Sequence, residues 1–187
     1  MSTAAPVPQT SITVWNIDPV HSVVEFKVKH MMISNVKGHF AKLSGTLKFD
    51  EAKPENSSVE ASIDVGSIDT RDAQRDGHLK SADFFDVEKY PNITFKSTNI
   101  KATGAGRGIV EGDLTIHGVT RKVALDVEGP GEPGKDPWGN TRMAVSATTK
   151  ISRKDYGLTW NAALETGGVL VGDEITITLD VQFVKAA

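Results

Sequence analysis

Apolar and polar residues alternate one for one through most of this chain, and that two-residue rhythm limits the fold more than any other feature. Successive side chains of a strand point to opposite faces, so each alternating run describes a ribbon with one face to bury and one to wet. In HSVVEFKVKH, Val24, Phe26, Val28 and His30 oppose Val23, Glu25, Lys27 and Lys29. In HFAKLSGTLKFD, His39, Ala41, Leu43, Gly45, Leu47 and Phe49 oppose Phe40, Lys42, Ser44, Thr46 and Lys48. The rhythm continues in VEASIDV, NITFKST, IVEGDLTI, VTRKVALDV, MAVSATTKI and ITITLDVQF. About eight such strands, most of them joined by short turns, make an antiparallel sheet that curls and closes, so the chain is expected to be all-β and to form one barrel.

The rhythm fails in one place, DTRDAQRDGHLKSADFFDVEKYP, from Asp69 to Pro91. Asp69, Thr70 and Asp72 offer acceptors for a helix start, Ala73, Gly77 and Leu79 to Ala82 fall at helical spacing, and Pro91 bars continuation. One helical insertion in a strand series must lie on or plug what the strands build, because Leu79, Phe84 and Phe85 need an apolar surface to cover.

A barrel of this size is either filled by side chains or just wide enough for one small ligand. Ala41, Gly45, Ala61, Gly112 and Ala147 stand at inward positions that could carry bulk, which predicts an apolar cavity. The 187 residues fit one domain, divided into a loose arm over residues 1–13 and a barrel over 14–187. EGPGEPGKDPWGN is a long loop or rim element with Trp138 as its expected anchor.

Several functions are argued against. A net charge of −3 with scattered Lys and Arg offers no stripe for a phosphate backbone, so nucleic acid is not an expected partner. There is no cysteine, hence no disulfide, thiolate nucleophile or Cys-based zinc site. TGAGRG lacks the Lys-Ser/Thr of a phosphate loop and precedes a strand, so it is read as a hairpin turn. No run approaches the roughly 20 apolar residues of a membrane span. The first residues, MSTAAPVPQTSITVW, do not resemble an export signal, so a cytoplasmic location is expected as written, or a periplasmic one if a leader has been removed.

Two constellations invite chemistry. His21, His30 and His39 recur every nine residues, but that spacing alternates faces and lies across a turn, so strand-end histidines are preferred to a metal site. Asp76 and His78, with Arg71 and Arg75, are the densest polar group. An Asp-x-His pair can polarise an imidazole, yet no nucleophile, oxyanion site or cofactor motif accompanies it, so no catalytic residue, metal or cofactor is assigned. The structural alternative is that Asp72, Arg75 and Asp76 pair with one another and with Arg153 or Asp155.

Four runs, IDPVHSVVEFKVKHMMISNVKGHF, SIDTRDAQRDGHLKSADFFDVEKYPNITFKS, GDLTIHGVTRKVALDVEG and SATTKISRKDYGLTWN, resemble the YceI-like family of lipocalin-like polyisoprenoid-binding proteins, in the family's order from about Trp15 to Val184. The resemblance implies an extended lipocalin-like barrel whose lumen holds a long apolar chain: an isoprenoid quinone, a polyprenyl lipid or a fatty-acid-like molecule. It also carries the expectations of a non-catalytic carrier or storage role, a link to stress and a homodimer. An enzyme acting on such a lipid through Asp76 and His78 is the alternative, as is a dimeric interaction protein with an incidental cavity. The departures are the missing leader and Met143-Ala144-Val145 where a Gly-aromatic pair is expected.

For such a ligand the apolar contacts expected are Phe26, Val28, Met32, Leu43, Leu79, Phe84, Phe85, Tyr90, Phe95, Val145, Trp160 and Ile177. Arg75, His78 and Lys80, on the insertion, are expected at the mouth, where a polar head needs donors.

Overall fold

A computed structural model describes residues 11–187. The expected N-terminal arm therefore lies outside the described residues except for its last three positions. The strands are β1 (Thr13–Ile17), β2 (Val23–His30), β3 (Ser34–Phe40), β4 (Leu43–Phe49), β5 (Ser58–Asp64), β6 (Ile68–Asp69), β7 (Asn92–Gly104), β8 (Arg107–Ile116), β9 (Val119–Glu128), β10 (Gly134–Lys135), β11 (Thr141–Ser152) and β12 (Val171–Lys185), with one α-helix among the described residues, α1 (Ala73–Lys80), between β6 and β7.

β1, β4, β5, β7, β8, β9, β11 and β12 form the closed antiparallel wall expected from the alternation. β11 lies beside β12 from Arg142 opposite Val184 to Ser152 opposite Glu174, a long seam. On its other side β11 meets β9 at three residue pairs, Ser146–Glu128 to Thr148–Asp126, and beyond them Thr149 Oγ1 donates to the Ala124 carbonyl at 2.9 Å. β12 also carries two partners in line on one edge: β1 near its end, Trp15 opposite Lys185, and β2 nearer its start, Val171 opposite His30. The β2–β3 hairpin thus continues the wall past the level at which β1 and β4 leave it, and β6 adds to its far edge.

Three expectations on strand faces need correction: His39, expected inside, stands opposite Glu25 on the outer face. Phe40, expected outside, is buried, and Ala41, expected inside, is exposed. The chain breaks at Ala41–Lys42 between β3 and β4, so Phe40 and Leu43 both point inward although an odd separation would put them on opposite faces of a regular strand. The helical insertion is also shorter than the broken rhythm suggests. Asp72 caps α1 by accepting from the Arg75 N–H at 3.0 Å, and after Lys80 the chain runs through turns to Asn92.

The insertion closes one end of the barrel. Phe84 is buried, and Phe40 meets Phe26 at 5.7 Å and Phe85 at 6.1 Å between ring centroids. Arg153, only 3% exposed, holds the loop before β12 by donating to the carbonyls of Gly172, Leu158 and Trp160 at 2.7–2.9 Å. The expected pairing of the insertion's charges with Arg153 is not formed, because these carbonyls and Asp173 occupy its guanidinium.

Candidate ligand-binding lumen

Inside the wall lies a cavity of about 680 Å³, within the roughly 300–1,000 Å³ of small-molecule sites. Its deep part is built from the inward positions of the alternating runs: Val24, Leu43, Ile63, Phe95, Leu114, Val123, Ala147 and Ile177. Val59, Ala61, Val123, Leu125, Val127, Val145, Ile177, Leu179 and Val181 point inward yet remain half-buried. A filled core would bury them; here the inside of the barrel is accessible to water.

Among the described residues, the charged groups that line the cavity stand at one end. Glu51 follows β4, Lys101 and Arg107 flank the β7–β8 turn, Glu132 lies between β9 and β10, and Lys185 ends β12. Thr13, Ser57 and Thr141 stand at the same end, so the mouth is polar and the interior is apolar. Lys101 pairs with Glu111 at 3.4 Å and Arg107 with Glu128. Asn99, and after it Lys101, donate to the Glu111 carboxylate and hold it below the usual carboxylate range. Lys185 Nζ sits 6.0 Å from the centroid of the buried Trp15 ring.

Among the residues expected to touch a ligand, Leu43, Phe95, Val145 and Ile177 line the cavity together. The others lie elsewhere. Phe26 packs on Phe40, and Val28 lies beyond it on β2, opposite Val36 and Ile175. Leu79 and Phe85 pack into the closed end against the core. Phe84 and Trp160 flank His78, with ring centroids at 5.1 and 4.7 Å. Tyr90 meets His117 at 4.8 Å and crowds Gly118, and Met32 is exposed at the tip of the β2–β3 hairpin.

Arg75, His78 and Lys80, expected at a polar mouth, are not among the residues that line the cavity. α1 follows β6, which pairs with β3 beside Phe40, at the end away from Lys185 and the β7–β8 turn. Arg75 donates through Nε to Thr70 Oγ1 at 2.8 Å and through Nη2 to the Thr70 carbonyl at 2.7 Å. Asp76 accepts from Thr70 N–H and Oγ1 at 2.9 and 2.6 Å, while His78 Nε2 lies 2.9 Å from Asp83. Asp76 and His78 therefore hold different partners and do not form the acid–base pair their spacing allowed.

The small inward residues expected to leave room do so only in part. A Cβ at Gly112 would fall 2.4 Å from Phe95 Cζ, and one at Gly45 would fall 2.4 Å from the Glu60 carbonyl and 2.9 Å from Ile17 Cδ1. These glycines admit neighbours and do not leave room. Ala61 and Ala147 do line the open space. Leu47, Val127 and Met143 also line the cavity and are legible in the alternation as inward faces; the charged residues at its end are not, because only the strand ends brought together by closure define them.

The chain matches the family described as a YceI-like domain over residues 15–183. It is 42% identical over 139 residues to a UPF0312 protein of Ectopseudomonas mendocina (strain ymp), covering 74% of this chain and 72% of that one. Its structure resembles that of Burkholderia cenocepacia BcnA with a TM-score of 0.76, 28% identity, and coverage of 89% of this chain and 98% of that one. A domain of Saccharophagus degradans described as polyisoprenoid binding shares the fold with a TM-score of 0.67 at 18% identity, covering 94% of this chain and all of that one.

Proposed function

This chain belongs to the YceI-like domain family, and we propose that it binds the tail of a long-chain lipid in its lumen and carries or stores that lipid without altering it. The carrying observation is an inward wall of Val, Leu, Ile and Phe that stays half-exposed around about 680 Å³, with charge confined to one end. An isoprenoid or acyl chain suits such a wall, because each enclosed methylene contributes about 0.8 kcal/mol before the costs of binding are subtracted. The polar head then rests at the mouth among Lys101, Arg107, Lys185, Glu51 and Glu132. The polyisoprenoid-binding neighbour supports the fold; the lumen itself supports the class of ligand.

The test is native mass spectrometry of protein purified from cells, followed by organic extraction. The expected outcome is a bound lipid, recovered chemically intact, and uptake of added long-chain quinone by the emptied protein. Repeated absence of lipid together with no uptake would overturn the proposal.

A further inference from the structure

The β2–β3 hairpin ends in a turn that few sequences would choose. The Ile33 N–H donates to the His30 carbonyl at 3.2 Å, and both central residues have positive φ, Met31 at 51° and Met32 at 62°. That sign pattern belongs to a type I′ turn, normally occupied by Asn-Gly because bulky L residues are strained there. Here the strained positions carry two methionines, and an isoleucine follows.

None of the three is packed away. Met31 is 43%, Met32 58% and Ile33 80% exposed, and Val169 at 37% extends the patch from the loop before β12. The tip is braced from that loop, since the Met31 N–H donates to the Leu170 carbonyl at 2.8 Å and Met32 lies against Gly168. The apolar side chains are held out by a supported turn.

The outer face of the same hairpin is cationic. Lys27 stands directly opposite Lys37, with Lys29 one step nearer the tip opposite Asn35. None of these lysines forms an ion pair among the described residues. Like charges facing each other across a strand pair are destabilising. The acid on that face, Glu25, lies farther from the tip, opposite His39. The chain as a whole is negative, so this is a local reversal of charge.

An apolar, supported tip above uncompensated lysines matches an anionic lipid surface: the tip enters the boundary between head groups and acyl chains, and the lysines meet phosphates. A second copy of the chain fits less well, because tip-to-tip contact would bring two sets of lysines together. We infer that Met31, Met32 and Ile33, with Lys27, Lys29 and Lys37, form a docking site for an anionic bilayer. Val171 opposite His30 and Lys185 at the mouth lie at opposite ends of β12, so a docked molecule keeps its lumen mouth away from that bilayer.

The full chain is tested by co-sedimentation with vesicles of phosphatidylcholine alone and of phosphatidylcholine mixed with phosphatidylglycerol. Pelleting with the anionic vesicles and its decrease with added salt are expected. Met31→Asn combined with Met32→Gly suits the turn, so the melting temperature should not fall while the bound fraction drops about tenfold. Lys27→Gln with Lys37→Gln should remove most of the salt dependence. Wild-type protein left in the supernatant with anionic vesicles, or both double variants pelleting like wild type, overturns the proposal. A concentration-dependent dimer abolished by the turn variant, without vesicle binding, overturns it in favour of a second copy.

Discussion

At the scale of single residues, the firmest electrostatic feature is Arg142, which bridges two segments distant in sequence. Its guanidinium donates to Asp18, after β1, and to Asp136, in the loop before β11, with a further contact to Gln182. Asp136 in turn accepts from the Trp138 and Asn140 N–H groups. The long Gly- and Pro-rich loop is therefore held by Asp136, and Trp138, its expected anchor, is 81% exposed. Composition marked that loop as irregular; it could not say which residue would be met by a cation from a neighbouring strand. Arg142, and after it His21, lower the Asp18 carboxyl from 3.8 to about 2, and Arg142 likewise holds Asp136 well below the usual carboxylate range. A depressed carboxyl stabilises the fold above its ordinary value and loses that contribution as pH falls toward the depressed one. Arg142→Met should therefore melt below the wild type at neutral pH, and the gap should close as pH is lowered from 3.8 toward 2. Thermal unfolding of both proteins across that range checks it; a gap that stays constant with pH would refute the linkage.

At the scale of elements, strands were legible and their ends were not. Alternation marks a strand without reference to anything distant, which is why the inward faces of β5, β9, β11 and β12 follow from sequence. The break at Ala41–Lys42 leaves no local mark, because the apolar spacing of HFAKL permits either register. The insertion was recognisable for the same reason that strands were, by losing the rhythm, but its position at the closed end depends on β6 pairing with β3. Its charges serve geometry: Asp76 satisfies Thr70, which is 4% exposed, and Arg75 satisfies the same residue from the other side. Phe84→Ala should destabilise the protein by about 3–5 kcal/mol, the usual cost of emptying a buried aromatic position, while lipid capacity per folded molecule is unchanged. Denaturant unfolding and quantitative lipid extraction on the same preparation test both halves. Lost capacity at full stability would mean that Phe84 touches the ligand after all.

At the scale of the whole molecule, what alternation leaves open is whether inward side chains meet each other or surround a space, since both arrangements obey the same pattern. The answer lies in circumference and in the volume of all inward residues at once, which no single strand reports. Substituting a small lumen residue by a large one separates the cases by the sign of its effect. In a filled barrel, Ala61→Trp would force neighbours off their rotamers and cost about 1–3 kcal/mol. In an open lumen the indole enters space already reached by water and covers apolar wall, so stability should hold or rise. Ala61 is suited to this, being half-buried on β5 opposite Gly45 and Phe95 and lining the cavity. The variant should then lose most uptake of long-chain quinone, because the added ring narrows the lumen itself. Unfolding and quinone titration of one sample decide the matter together: a destabilised variant speaks for a packed interior, and a stable variant that still takes up quinone removes the lumen as the binding site.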